Sequence, residues 1–334
     1  QALAGTDAGT NNKNIAIGNY ALDANMTHNQ GNIAIGHETL TNLAGSGALA
    51  NVFIGTQAGI SLTNADYNTG VGHGVMGEAS GNAITGLYNS GFGALALYNL
   101  AGAAHSNTAI GYKAGFQSTT ASGSVFLGQS AGETVTTGNQ NIGIGLAAMN
   151  GGTTTGDKNI AIGVSAGNAL TSGKENVFIG GNAGGLSQTG LYNIAIGTDA
   201  FDAEDGNASY AIAIGLNALG GTNHDDADFN IAIGHNAVAS ANTSGMSGIV
   251  IIGQTAGFAM NNAGANYTTG IGFEVFRNLT SGQGNTAIGK HALYAEDDGD
   301  FNTAVGFEAL KAQTGTSGTT ANSGLGYRAG FYNT

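Results

Sequence analysis

The sequence predicts an all-β fold, a β-solenoid of about 18 to 19 stacked coils, and three observations lead to this prediction. First, one short pattern recurs along the whole chain at spacings of 17 to 21 residues. Second, the chain has 60 glycines and no proline, as expected for many tight turns and paired strands. Third, the residues before each repeated glycine alternate between bulky and small side chains, which is typical of β-strands.

The repeated unit is clearest in residues 159–167, Asn-Ile-Ala-Ile-Gly-Val-Ser-Ala-Gly. We number positions from its central glycine, Gly163, so that Asn159 is at −4, Ile162 at −1 and Ala166 at +3. The next copy supplies Asn176, Ile179, Gly180 and Ala183. Eighteen copies centre on Gly18, Gly36, Gly55, Gly72, Gly93, Gly111, Gly128, Gly145, Gly163, Gly180, Gly197, Gly215, Gly234, Gly253, Gly272, Gly289, Gly306 and Gly326, and a degenerate copy on Gly5.

Each copy predicts a strand, a turn, a short second strand and a loop. The residue at −1 is Ile, Val, Leu or Phe in all eighteen copies, and the residue at −2 is usually Ala or Gly, although Phe53, Phe126, Phe178 and Ile251 are bulky. We expect the −1 side chain to fill the interior of the coil. We expect the small −2 side to allow close approach of another backbone, such as a neighbouring subunit.

The conserved turn positions indicate how the coils stack. The central glycine is expected to adopt a positive φ or to let the next coil approach closely. Alanine at +3 predicts a crowded interior position. Asparagine occupies −4 in fourteen copies, and stacked copies would form a ladder in which each amide bonds its neighbour and the turn backbone.

The domain organisation follows from the repeat. We expect residues 1–334 to form a single β-roll repeat domain with no separate cap or anchor, because the composition does not change along the chain. Both ends fall inside the repeat pattern. Because solenoids need caps or neighbours on their end coils, this predicts a segment of something longer or a protomer that associates end to end.

The charge excludes several classes of partner. The formal net charge is −13, with only 8 Lys and Arg, which argues against binding to nucleic acid or to an anionic membrane surface. No apolar run approaches the length of a membrane span. The chain has no cysteine, and no nucleophile elbow or zinc-ligand spacing is present. The sequence therefore predicts no enzymatic activity, no membrane insertion by this segment and no required cofactor.

Acidic loops are the best candidates for a specific site. Two loops could offer carboxylate oxygens to calcium. Their candidate ligands are Asp225, Asp226 and Asp228 in one loop and Asp297, Asp298 and Asp300 in the other. Neither loop matches an EF-hand or a calcium-binding nonapeptide, and solvated charge that keeps a fibre soluble is the alternative interpretation.

Aromatic side chains form a second group of candidates. Several tyrosines that we expect to be exposed follow the repeat glycine or lie in loops. They are Tyr20, Tyr88, Tyr98, Tyr112, Tyr192, Tyr210, Tyr294 and Tyr327. They could stack on sugar rings or cover the grooves between coils. Ice binding usually needs a regular threonine ladder, whereas the threonines here are scattered.

The unit Asn-x-Ala-Ile-Gly-x-x-Ala resembles the YadA-like head repeats of trimeric autotransporter adhesins. It is also similar to longer-period repeats of phage tail-fibre-type proteins, as in residues 107–114, 285–289 and 302–306. The resemblance covers essentially the whole chain. It implies a left-handed parallel β-roll, a homotrimer and a role in attachment outside the cell. The adhesin repeat is shorter, so these copies carry longer loops.

These observations predict an extracellular or cell-surface fibre segment, a trimeric adhesin head that binds surfaces many times weakly. The expected partners are two further copies and a glycan or matrix-protein ligand. Two alternatives stay open: a phage tail-fibre shaft or receptor-binding protein on a virion, and a self-polymerising extracellular filament.

Overall fold

The computed structural model describes residues 13–24, 28–43, 47–77, 83–202, 208–221, 228–239, 245–260, 263–314 and 318–332. Gly5 and the degenerate copy around it lie outside the described residues. The chain divides into two compact units, Gln1–Asn159 and Ile160–Thr334.

Both units are parallel β-solenoids, which confirms the predicted all-β class. Within the described residues of the first unit the strands are β1 Ile15–Ile17, β2 Ile33–Ile35, β3 Val52–Ile54, β4 Thr69–Val71, β5 Ser90–Phe92, β6 Thr108–Ile110, β7 Val125–Leu127 and β8 Ile142–Ile144. Each strand spans positions −3 to −1 of one repeat copy. Consecutive strands pair in parallel and in register, for example Ile15 with Ile33 and Ile33 with Val52.

The second unit repeats the arrangement. Its described strands are β9 Ile160–Ile162, β10 Val177–Ile179, β11 Ile194–Ile196, β12 Ile212–Ile214, β13 Ile231–Ile233, β14 Val250–Ile252, β15 Thr269–Ile271, β16 Thr286–Ile288, β17 Gly299–Asp300, β18 Thr303–Val305, β19 Gly318–Thr319 and β20 Ser323–Leu325, with a 3-10 helix at Ala263–Ala265. β17 and β19 form a separate parallel pair. Elsewhere among the described residues, the predicted second strand is present only as isolated bridges, such as Lys174 with Leu191.

The repeat glycine ends each strand for two reasons, and both confirm the prediction. Gly163 has a φ of +136°, which side chains rarely tolerate. A Cβ on Gly163 would also collide with the carbonyl oxygen of Gly180 in the next coil. Close stacking of the turns is maintained by backbone bonds, including Asn182 N to Val164 O at 3.0 Å.

The asparagine ladder is present as predicted. Asn159 and Asn176 are fully buried. The backbone N–H of Asn159 donates to Asn141 Oδ1 at 2.9 Å, and Asn193 N donates to Asn176 Oδ1 at 2.9 Å. The Asn176 amide donates to the carbonyl of Gly190 at 2.8 Å. Each asparagine therefore satisfies backbone groups of two neighbouring coils inside the core.

The orientation of the strand side chains corrects one prediction. The −2 residues point into the coil, and Ala161 and Phe178 are fully buried. The −1 residues Ile162 and Ile179 are half-exposed on the outer side of the same strands, so their predicted interior location is wrong. The physical reason is the limited space inside the coil, opposite the strand.

Interior space at the strand is limited by the turn across the coil. A Cβ on Gly167 would lie 3.0 Å from Leu170 Cδ1 and 3.1 Å from Phe178 Cδ2. These side chains already fill the interior beside Ala161, so a small −2 residue fits there. Where −2 is Phe178, the glycine at +4, Gly184, leaves room, since a Cβ on it would lie 2.6 Å from the ring Cδ1. The alanines at +3, Ala166 and Ala183, are fully buried as predicted.

Candidate interaction surfaces

The outer side of the strands carries an aliphatic face, which we define as the side chains at position −1. The residues at −3 beside it are Ile or Val in eleven copies and Thr or Ser in seven. Its −1 column in the second unit consists of Ile162, Ile179, Ile196, Ile214, Ile233, Ile252, Ile271, Ile288, Val305 and Leu325. In-register pairing places these side chains in a continuous row. Ile196 is 37% exposed and Ile288 is 40% exposed.

The first unit carries the same face. The exposed large side chains of its −1 column include Ile17, Ile54, Phe92, Ile110 and Leu127. Single exposed aliphatic residues are ordinary on protein surfaces, but a contiguous apolar patch that extends over many strands marks an interaction site. The aliphatic face is therefore a candidate interaction surface in each unit.

A second surface is an aromatic column at position −5. Every described residue at this position has a positive φ, including Tyr67 at 57°, Tyr88 at 61° and Tyr210 at 60°. The rings of Tyr67 and Tyr88 stack with centroids 5.3 Å apart and planes within 7°. In the second unit, Tyr210 is stacked between Tyr192 and Phe229, at 5.1 Å from each.

The predicted calcium ligands are divided between different environments. Asp225 and Asp226 lie outside the described residues. Asp228 and Asp300 both occupy position −6, where a carboxylate oxygen accepts a backbone N–H from the preceding coil: Asp228 from Ser209 at 2.6 Å and Asp300 from Gln283 at 2.9 Å. These two residues therefore have a structural role in coil stacking.

The remaining two acidic residues join a third that the sequence analysis missed. Carboxylate oxygens of Glu296, Asp297 and Asp298 all lie within 4.8 Å of one another. Glu296 is fully buried and accepts a hydrogen bond from Gln313 Nε2 at 2.6 Å. Glu296 directly precedes Asp297 in the sequence, and this adjacency could have identified it as a candidate ligand. Calcium binding here stays a prediction.

The electrostatics of this acidic group are unfavourable. The pKa of Asp298 is raised because its carboxyl group is partly buried and because the negative charges of Asp297, Glu296 and Asp300 surround it. A raised carboxyl pKa means that the ionised form is destabilised in the fold. A cation would relieve this repulsion, and so would protonation.

A second charged cluster lies at position +2 of the last coils, and its negative charges are balanced by nearby positive charges. Glu308 accepts hydrogen bonds from Lys311 Nζ and Arg328 Nε, each at 2.6 Å. These cations lower the pKa of Glu308 to about 2, although burial opposes the shift. His291 lies between Glu274, 3.1 Å from its Nε2, and Glu308, 3.7 Å from its Nδ1. The cluster joins four successive coils, those of Glu274, His291, Glu308 and Arg328.

Among the described residues, no helix has the length and apolar character needed to cross a membrane. Comparison of the chain with family models, with curated proteins and with solved structures gave no match. The geometry alone therefore defines the class, a parallel β-solenoid. The resemblance to YadA-like and tail-fibre repeats rests on the repeat residues.

Proposed function

We propose that this chain is a non-catalytic attachment segment of an extracellular fibre, in which three copies pack through the aliphatic face and present their outer loops to a surface. The fibre would stand on a cell, as in a trimeric adhesin head, or on a virion, as in a tail fibre. The aliphatic face is the observation that carries this proposal.

Burial of this face offers a large gain in stability. Removing apolar surface from water contributes roughly 25 cal/mol per Å², and the −1 column alone presents one large apolar side chain per coil. Obligate interfaces between identical chains are large and apolar, like a core divided in half. A continuous row of Ile, Val, Leu and Phe suits such an interface.

The remaining surface suits repeated weak contacts. The loops differ between copies but recur at every coil, so a trimer would offer many similar sites at once. Multivalent binding of this kind raises overall affinity without any single strong contact. The net charge of −13 would keep the exposed surface soluble and limit non-specific association.

The test is the mass of the purified chain in solution by light scattering after size exclusion. We expect three times the chain mass of 32.9 kDa. Ile196→Asp, on the aliphatic face, should give a smaller species. Leu186→Asp, at a side chain that is 49% exposed and lies outside the strands, should leave the trimer intact. A folded wild-type monomer would overturn the proposal.

A further inference from the structure

One cavity lies beside the aromatic column in the first unit. It has a volume of about 420 Å³, within the size range of small-ligand sites, about 300–1,000 Å³. Its apolar wall comes from the ring of Tyr88 and the side chains of Leu87 and Ala103, and its polar rim from Thr85, His105 and Ser106.

The cavity exists because the aromatic column is interrupted. Tyr88 stacks on Tyr67 on one side. On the other side, the next −5 residue is Ser106 and the one after it is Gly123. Ser106 has a φ of 59°, close to the 61° of Tyr88, so the backbone continues while the ring is missing. One face of the Tyr88 ring therefore borders open space at the level of Ser106.

The protein's own stacks define what fits in this gap. Where the column is filled, as at Tyr210, ring centroids lie 5.1 Å apart. A six-membered ring at the level of Ser106 would take the same place against Tyr88. The hydroxyl groups of Thr85 and Ser106 and the imidazole of His105 border this place and can both donate and accept hydrogen bonds.

The walls of the cavity are held in place before any ligand arrives. Thr85 N donates to the carbonyl of Gly102 at 2.8 Å, and Ser106 N donates to that of Leu87 at 2.9 Å. A Cβ on Gly86 would collide with the carbonyl oxygen of Ala104, so the two coils are in direct backbone contact below the cavity. A preformed site reduces the ordering cost of binding.

We infer that this cavity binds a neutral hexopyranose unit of a glycan, with the apolar face of the sugar ring on the free face of Tyr88 and its hydroxyl groups toward Thr85, His105 and Ser106. A sugar ring combines an apolar face with a hydroxylated edge, which matches one aromatic wall and a polar rim. The net charge of −13 disfavours anionic ligands. The inference deepens the proposed attachment function and rests on it for its role.

The experiment is saturation-transfer difference NMR on the full chain with four neutral disaccharides, maltose, cellobiose, lactose and N,N′-diacetylchitobiose, at about 10 mM, suited to millimolar affinity. At least one should receive saturation, and Tyr88→Ala should weaken its binding at least tenfold. Tyr112→Ala is the matched control, because Tyr112 has a similar exposure, 48% against 57% for Tyr88, but lies outside the −5 column, so its removal opens no gap between stacked rings. This variant should bind as the wild type does.

A second variant fills the gap without removing Tyr88. Ser106→Tyr should extend the stack from Tyr88 and abolish disaccharide binding while the circular dichroism spectrum is retained. Binding that persists in Tyr88→Ala or Ser106→Tyr, or saturation of tyrosinamide but of none of the sugars, would overturn the inference. The oligomeric mass, measured on the same samples, tests the proposed function separately, because the cavity lies within one chain.

Discussion

Ile162 and Ile179 lie side by side on the parallel strands β9 and β10, paired in register, and both side chains are on the outer side of the coil. The preceding residues on the same strands, Ala161 and Phe178, point into the coil and are fully buried. Each strand therefore separates a narrow core from an exposed aliphatic row. The core stabilises each coil, and the row is the surface through which we propose that copies of the chain associate.

The first prediction concerns the complementary sizes of the residues at −2 and +4, Phe178 and Gly184, which share the interior of one coil. Phe178→Ala should cost about 3–5 kcal/mol, as expected for a buried phenylalanine. Gly184→Leu should also destabilise the fold, because its Cβ would lie 2.6 Å from the Phe178 ring.

The double variant Phe178→Ala with Gly184→Leu should recover much of the loss, because leucine already occupies +4 with a positive φ at Leu219, 50°. Denaturant unfolding of the four proteins measures the coupling. Additive losses in the double variant would contradict this account of the core.

The second prediction concerns the asparagine ladder. Asn89 accepts a hydrogen bond from Asn107 N at 3.1 Å and donates one to the carbonyl of Ala104 at 2.9 Å. Asn89→Ala leaves these buried groups unpaired, and each should cost about 1–3 kcal/mol in unfolding free energy.

Asn89→Ser is the matched control. Serine occurs naturally at −4 in Ser124, where its Oγ accepts from Asn141 N at 3.1 Å. We expect this variant to lose less stability than Asn89→Ala in thermal unfolding. Equal losses would show that the side-chain acceptor does not matter.

The sequence was sufficient for the parallel solenoid, the strand positions and the asparagine ladder, because each depends on a periodic pattern. It was not sufficient to predict which face of each strand points into the coil. Alternation at Ile160, Ala161 and Ile162 defines two faces. Which face points inward depends on the packing across the coil, where Leu170 and Phe178 already fill the space around Gly167. The sequence indicates Tyr88 as a candidate, but the free face of its ring depends on the absence of a ring at Ser106, which is apparent only when the −5 positions are aligned.

The third prediction concerns pH. Because the pKa of Glu308 is lowered from 4.5 to about 2, its ionised form stabilises the fold above pH 4.5. That contribution should decline as the pH falls toward 2. Glu308→Gln should therefore lower the melting temperature at neutral pH, and the difference from wild type should shrink between pH 4.5 and about 2. A difference that stays constant over this range would contradict the assigned cause.

The fourth prediction concerns calcium at Glu296, Asp297 and Asp298. If the ion binds the folded chain, the melting temperature should rise, with about 2.7 kcal/mol of stabilisation at a hundredfold excess over Kd. Asp298→Asn should raise the melting temperature without calcium, because the repulsion on this carboxylate is removed, and should abolish the calcium effect.

Asp300→Asn is the control for the calcium site, since an amide oxygen can still accept the hydrogen bond from Gln283 N and the three clustered carboxylates stay intact. It should retain the calcium response. No heat on calorimetric titration of the wild type with calcium, together with an unchanged melting temperature, would exclude the site.

Thiol labelling shows whether the aliphatic face is buried between copies of the chain, as we propose. The chain contains no cysteine, so Ile196→Cys and Leu186→Cys each introduce a single probe, at side chains that are 37% and 49% exposed in one chain. In the native oligomer we predict that the thiol at 196 reacts at least tenfold more slowly than the thiol at 186. Equal rates for the two thiols would contradict the claim.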